Sequence, residues 1–227
     1  MMSTDRQVEA GQAVYTRTTL AAYDIIVLGI SNQYIWKCPS TKIEENYNKF
    51  VSANHLDVGV GTGYFLDRCH FPSESPRIAL MDLNTNALDF ASKRIGRYMP
   101  EIYRQNILEP ISGDILQFDS VGLNYLLHCL PGAITEKAVV FEHLKSLMNP
   151  GATIFGSTIL QGGVKRNLAA TYLMQFYNQK GIFSNVRDDI EGLKSELNKS
   201  FEDVVVEVIG CVALFSGHVP THIQVKK

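Results

Sequence analysis

From residue 55 onward the chain alternates between short apolar, β-branched runs and stretches whose apolar residues recur every three or four positions. The first kind predicts strands at 55–60 (HLDVGV), 77–83 (RIALMDL), 103–108 (YRQNIL), 119–127 (DSVGLNYLL) and 152–160 (ATIFGSTIL). The second predicts helices between them. In 84–99 Asn84 stands at the capping position, and Leu88, Ala91 and Ile95 share one face. The helix at 135–148 follows Pro131 and Gly132 and stops at Asn149-Pro150-Gly151. Two helices, 164–179 with Leu168, Tyr172 and Phe176 four apart and 188–200, follow the fifth strand. One is more than a single crossover requires, so the first reads as an insertion near the site.

Residues 201–217 form two β-rich runs that meet at Ile209 and Gly210. A link so short cannot hold a crossover helix, so these strands pair antiparallel. The whole pattern is that of an α/β fold, a mostly parallel sheet with helices on both faces, closed by a C-terminal antiparallel hairpin. Residues 1–50 read as a helical N-terminal cap, with an apolar helix at 20–30, an aromatic stretch at 32–39 and a capping box from Thr41 to Glu44 that opens a further helix. Residues 51–227 form the main domain, a single structural unit with the cap.

Composition narrows the function classes. With 227 residues, 45% hydrophobic and 19% charged, the chain is long enough to bury the core of one large domain. The 21 basic against 23 acidic residues leave a net charge of −2, which provides no field to draw in nucleic acid or an anionic membrane. Cys38, Cys69, Cys129 and Cys211 lie too far apart for a zinc site or a disulfide framework, so the expected setting is the reducing cytoplasm. The apolar run at 20–30 is too short to span a bilayer, carries Asp24 and lacks a basic flank. No pattern of metal ligands appears, and no metal is expected.

The candidate chemistry concentrates in 55–67, HLDVGVGTGYFLD, where Gly59, Gly61 and Gly63 alternate directly after the first strand. In an open α/β sheet this first βα turn lies at the ligand-binding edge. A P-loop would need a Lys followed by Ser or Thr, but Tyr64 and Phe65 follow Gly63. A dinucleotide fingerprint would place its last glycine at position 64, where Tyr64 stands, so a nicotinamide-dependent reductase is the runner-up. Asp82, at the end of the second strand and 23 residues beyond Gly59, suits the two hydroxyls of a ribose. These features describe a ligand with a ribose and no need for a phosphate grip.

At this point the residues resemble the class I S-adenosylmethionine-dependent methyltransferases of the small-molecule type. LDVGVGTG is similar to that family's first motif, Asp82 to its ribose-binding acid, 118–132 to its fourth-strand motif and 147–160 to its helix-turn-fifth-strand element. The resemblance covers about 50–217 and implies a Rossmann-like seven-stranded sheet. It also implies S-adenosylmethionine as cofactor and a cofactor site of Asp57, Gly59, Gly61, Thr62, Gly63, Asp82, Leu83, Asn106 and Ile107, to which Asn124 in the fourth strand is added as a residue placed to reach the cofactor or the acceptor, weighed evenly against a structural bond to neighbouring backbone. Within that set Asp57 would meet the ammonium group, and Asn106 would stand at the adenine edge where many relatives have an acid.

Methyl transfer asks mainly for alignment, with a base only where the acceptor must lose a proton. His128, just past the fourth strand, is the candidate for that base, weighed evenly against a structural histidine. Cys129 reads as a buried structural thiol. Tyr15, Trp36 and Tyr172 are candidates to bind the acceptor, with Tyr15 or Trp36 of the cap expected to face the site. The activity implied is methyl transfer to a small, largely apolar or aromatic acceptor in secondary metabolism. A cofactor-binding protein of this fold that catalyses another reaction, such as a cyclisation, or only binds, is the alternative, and a homodimer is left open.

Overall fold

The computed structural model describes residues 24–221. Seven strands form one sheet in the order β3-β2-β1-β4-β5-β7-β6. They are β1 (Asn54–Val58), β2 (Arg77–Asp82), β3 (Glu101–Arg104), β4 (Phe118–Asn124), β5 (Met148–Ile159), β6 (Glu202–Ile209) and β7 (Val212–His218). The first five run parallel, and β7 pairs antiparallel with both β5 and β6. Chain order reverses between β1 and β4, which opens a crevice at their carboxyl ends.

Alternation along the strands splits the core into two layers. Ile78 and Leu80 of β2 join Phe155 and Leu214 on one face, under α1 (Ser40–Phe50), α2 (Tyr64–Arg68), α3 (Thr85–Arg94) and α6 (Leu168–Gln179). Ala79 and Met81 join Leu123 and Ile154 on the other, under α4 (Ile134–Lys137), α5 (Val139–Lys145) and α7 (Ile190–Ser200). Period-two apolar residues therefore supply both faces, as a sheet covered on two sides requires.

The expected hairpin is present. Ile209 pairs with Val212 across a tight turn in which Gly210 takes φ +61°. A Cβ there would meet the Trp36 carbonyl oxygen at 2.2 Å, so both the turn and the close approach need glycine.

Several boundaries differ from the sequence expectations. The third strand is Glu101–Arg104, because the Asn106 side chain accepts the Leu108 N–H at 3.2 Å and turns the chain out of the sheet. The fourth strand stops at Asn124, where Tyr125 adopts φ +55°. The helix expected over 135–148 is two short helices meeting at Ala138. No capping box forms at Thr41, since α1 starts at Ser40 behind Pro39, two residues earlier than such a cap would place it. Ser40 Oγ instead donates to the Leu28 carbonyl at 2.6 Å. The apolar segment expected as a buried helix over 20–30 is π-helical over Asp24–Ile35, with Leu28 buried and Ile30 exposed. Asn84 caps α3 as expected, accepting the Ala87 N–H at 3.1 Å.

Candidate active site

The loop after β1 explains why three glycines stand together. Gly59, Gly61 and Gly63 have φ of +72°, +51° and +69°, a region that side chains rarely adopt. Their surroundings differ. A Cβ on Gly59 would strike Leu126 at 2.9 Å, and one on Gly63 would press on Ala91 of α3 at 3.1 Å. At Gly61 nothing lies within 4 Å. Two glycines permit packing, and the middle one keeps the backbone open to the crevice.

That crevice has two lobes sharing Gly59, Gly61 and Tyr125. The first is walled by Asp82, Leu83, Asn106, Ile107 and the apolar residues Leu126 and Leu130. Asp82 Oδ1 accepts the Asn84 N–H at 2.8 Å. Burial pushes the Asp82 carboxyl up to about 6, against the N–H groups of Asn84, Val60, Leu83 and Gly61, which favour its charge. Asn106 stands at the far wall with its Nδ2 donating to Glu109 Oε1 at 2.7 Å.

The second lobe holds Asp57, Thr62, Gly63, Asn124 and Tyr47. Tyr47 Oη donates to Asp57 Oδ1 at 2.8 Å. Burial raises the Asp57 carboxyl to about 7, opposed by that hydrogen bond and reinforced by Asp82. Ser157 Oγ donates to Asn124 Oδ1 at 2.8 Å, while the buried Asn124 Nδ2 has no hydrogen-bond partner.

A polar clamp holds the glycine loop from outside. Thr62 Oγ1 donates to Asp24 Oδ1 at 2.6 Å, and Arg94 of α3 reaches both Asp24 Oδ2 at 2.5 Å and the Thr62 carbonyl at 3.0 Å. Thr62 therefore acts through the loop's position, with its hydroxyl turned to Asp24.

Known proteins match this chain over nearly its whole length. The family model described as a methyltransferase domain matches residues 56–154. The chain is 37% identical to demethylluteothin O-methyltransferase of Streptomyces thioluteus over 211 residues, 93% of this chain and 92% of that protein. It is 38% identical to the physcion biosynthesis cluster O-methyltransferase of Aspergillus chevalieri, over 93% of this chain and 96% of that one. The chain belongs to the class I S-adenosylmethionine-dependent methyltransferases. The N-methyltransferase NodS of Bradyrhizobium japonicum WM9, solved in complex with S-adenosyl-l-homocysteine, shares the methyltransferase fold, with a TM-score of 0.62 at 15% identity over 96% of this chain and all of that one.

The methyltransferase uses S-adenosylmethionine, which when bound supplies a methyl carbon activated by a sulfonium. The residues present suit such a molecule. Gly61 leaves backbone approach free, Asp82 and Asp57 put one acid in each lobe, and the unpartnered Asn124 Nδ2 offers a donor in the second.

Not every residue expected at the methyltransferase site lies there. His128 is buried in the core, with its ring edge-on to Phe183 at 4.5 Å and to Tyr125 at 5.6 Å. Its Nδ1 accepts the Ile159 N–H at 3.2 Å, and burial holds its pKa down to about 3. The expectation of a cleft-facing base is thereby corrected: a ring so desolvated and so bonded is a packing element. Trp36 is likewise in the core, 5.9 Å from the Phe183 ring, and does not face the cleft. Tyr172 points outward from α6 and is 72% exposed, so the structure does not bring it to either lobe. Tyr15 lies outside the described residues. Cys129 walls the first lobe, its thiol pushed up to about 12 by burial.

Tyr47 is the site residue that the sequence reading missed. Its signal was present: in STKIEENYNKF the apolar residues Ile43, Tyr47 and Phe50 recur at helical spacing on one face, and Ile43 and Tyr47 are buried.

Proposed function

We propose that this methyltransferase transfers the methyl group of S-adenosylmethionine to a small, largely apolar or aromatic acceptor. The observation that carries the reading is the two-lobed crevice whose lobes meet at Gly59 and Gly61 with one carboxyl on each side. In this reading Asp82 takes the ribose hydroxyls, and Leu83, Asn106 and Ile107 bound the adenine. Asp57 receives the ammonium group, and Gly61, Gly63, Thr62 and Asn124 hold the remainder of the amino-acid portion. The reacting centre then falls near Tyr125, where the lobes join, and the chain's contribution is alignment and exclusion of water.

Two of the relatives are named O-methyltransferases, one of demethylluteothin and one of a physcion biosynthesis cluster. These names support an acceptor made in secondary metabolism. No helix of the described residues is long and apolar enough to cross a membrane. Four free cysteines support a reducing setting such as the cytoplasm. A homodimer, if formed, would use the exposed stripe of Leu168, Tyr172 and Phe176 on α6, which light scattering of the wild type and a Leu168→Glu, Tyr172→Glu variant would test.

Titration calorimetry with S-adenosylmethionine, S-adenosylhomocysteine and NADH tests the cofactor site, and transfer of labelled methyl to a panel of phenols and arylamines tests the acceptor class. The expected result is binding of the two sulfur ligands, none of NADH, and methylation within the panel. Binding of NADH alone would overturn the site reading. Cofactor binding with methylation confined to charged, non-aromatic compounds would overturn the acceptor class.

A further inference from the structure

We propose that Tyr47 is a positioning residue for the cofactor: by donating its phenolic proton to Asp57, it keeps that carboxylate charged in a desolvated lobe and sets the pH range over which the ligand's ammonium group is held.

Once Asp57 is ionised, the direction of this hydrogen bond is fixed. Tyr47 Oη and Asp57 Oδ1 are 2.8 Å apart, both side chains are buried, and a charged carboxylate can only accept. Asn124 lines the same lobe, its orientation set by Ser157 Oγ donating to Asn124 Oδ1 at 2.8 Å, and makes no hydrogen bond that would compete for the phenolic proton.

The ring is held by packing independent of the hydroxyl. It stacks on Phe65 at 5.4 Å and stands edge-on to Phe155 at 5.1 Å. Because Tyr47 is carried by α1, outside the glycine loop, it supplies from a second element what the loop lacks, a donor to its acid.

The other titratable groups around Asp57 cannot do this. Asp82 from β2 adds like charge and favours the protonated acid. The Cys69 thiol is itself pushed up to about 12 by burial and by Asp57. His55, two residues back on β1, shares with Asp57 Oδ1 the space beside Gly122 of β4, but its Nδ1 is engaged with Ser120 Oγ at 2.8 Å, and burial holds it neutral with a pKa of about 3. Asp24 and Arg94 are engaged with each other and with Thr62. Among the described residues Tyr47 is the group whose bond to Asp57 favours the anion.

The inference rests on the reading that Asp57 receives the ammonium group, and its test separates the two. The dissociation constant of S-adenosylhomocysteine is measured by calorimetry from pH 5 to 8.5 for the wild type, Tyr47→Phe, Asp57→Asn and a protein carrying 3,5-difluorotyrosine at position 47. Circular dichroism confirms folding at each pH. In the wild type affinity should fall as pH drops and Asp57 takes up a proton. A basic limb belonging to the ligand's amine is common to all four proteins.

Tyr47→Phe keeps the ring and should move the acid limb to higher pH, by about one unit for the loss of one hydrogen bond to the charged form. The fluorinated phenol, a stronger donor, should move it to lower pH. Acid limbs that coincide in the wild type and both Tyr47 proteins, with none in Asp57→Asn, would reduce Tyr47 to a packing residue while leaving the ammonium assignment intact. An acid limb that persists in Asp57→Asn would instead remove Asp57 from the ammonium site.

Discussion

Lys137 Nζ lies 2.7 Å from Asp188 Oδ2, and neither side chain is exposed beyond 1%. The same ammonium group donates to the carbonyls of Leu127 and Ser184 at 2.9 and 2.8 Å. It thereby joins the turn after β4, which walls the first lobe, to the loop that follows α6. Burial lowers the pKa of Lys137 and raises that of Asp188, while each charge supports the other.

Removing one member of such a pair strands the other in a dry interior. Lys137→Met should destabilise the fold by about 3–5 kcal/mol, whereas adding Asp188→Leu should restore part of the loss. Urea unfolding of the two single variants and the double variant checks this. Additive losses would mean that the two charges do not depend on each other.

Gly59 and Gly61 share a positive φ but differ in surroundings, so alanine should separate them. At Gly59 the new methyl group meets Leu126 at 2.9 Å, and the cost should appear in stability, roughly 1–3 kcal/mol. At Gly61 it meets nothing within 4 Å, and beyond about 1 kcal/mol of backbone strain the fold should hold. Its affinity for S-adenosylhomocysteine should fall at least tenfold as the methyl enters the crevice. Melting temperature and calorimetry on both variants decide, and a Gly61→Ala protein with wild-type affinity would move the ligand away from this loop.

Asp82→Ala should weaken S-adenosylhomocysteine binding by roughly 1–3 kcal/mol through loss of charge-assisted hydrogen bonds to the ribose. The comparison ligand is 5′-methylthioadenosine, which keeps the ribose and lacks the amino acid. An equal loss for both ligands is expected, and an unchanged constant for the smaller one would withdraw the ribose assignment.

His128 should show itself in stability against pH. Its folded-state pKa of about 3 is below the ordinary 6.5, so the stability it contributes is present above pH 6.5 and is lost as pH falls toward 3. His128→Gln keeps an acceptor for the Ile159 N–H and removes the titration. Between pH 7 and 5 the wild type should lose about 2 kcal/mol relative to this variant, read from urea midpoints. Parallel profiles accompanied by reduced turnover would return the imidazole to the reaction.

The strand centres and the closing hairpin were legible in the sequence because β-branched runs, period-two burial and the Gly210 turn all act locally. The ends of strands three and four were not. Asn106 stops one through a bond of its own side chain, and the positive φ of Tyr125 stops the other. That second turn also misled the reading of the site. It leads into a 3-10 turn, Leu127–Cys129, whose three-residue repeat sends Leu126 and Cys129 to the crevice while Leu127 and His128 enter the core. That Asp57, Asp82 and the glycines line the crevice was legible because their positions are tied to one βα turn and the next strand end. Trp36 and Tyr172 were not placed correctly, because an aromatic residue's face depends on packing between distant segments. Tyr47 escaped notice because its partner Asp57 comes from another element.

The order of the sheet also constrains how this chain is made. β6 touches the sheet only through β7, and β7 fills the slot between β5 and β6. A nascent chain that has emerged only as far as Ile209 thus has its sixth strand synthesised but nowhere to lodge, and the apolar flank of β5 stays open to water. The last sheet pairings must wait until Val212–His218 have cleared the ribosome. Until then the exposed edge of β5 is where a chaperone would have reason to hold the chain.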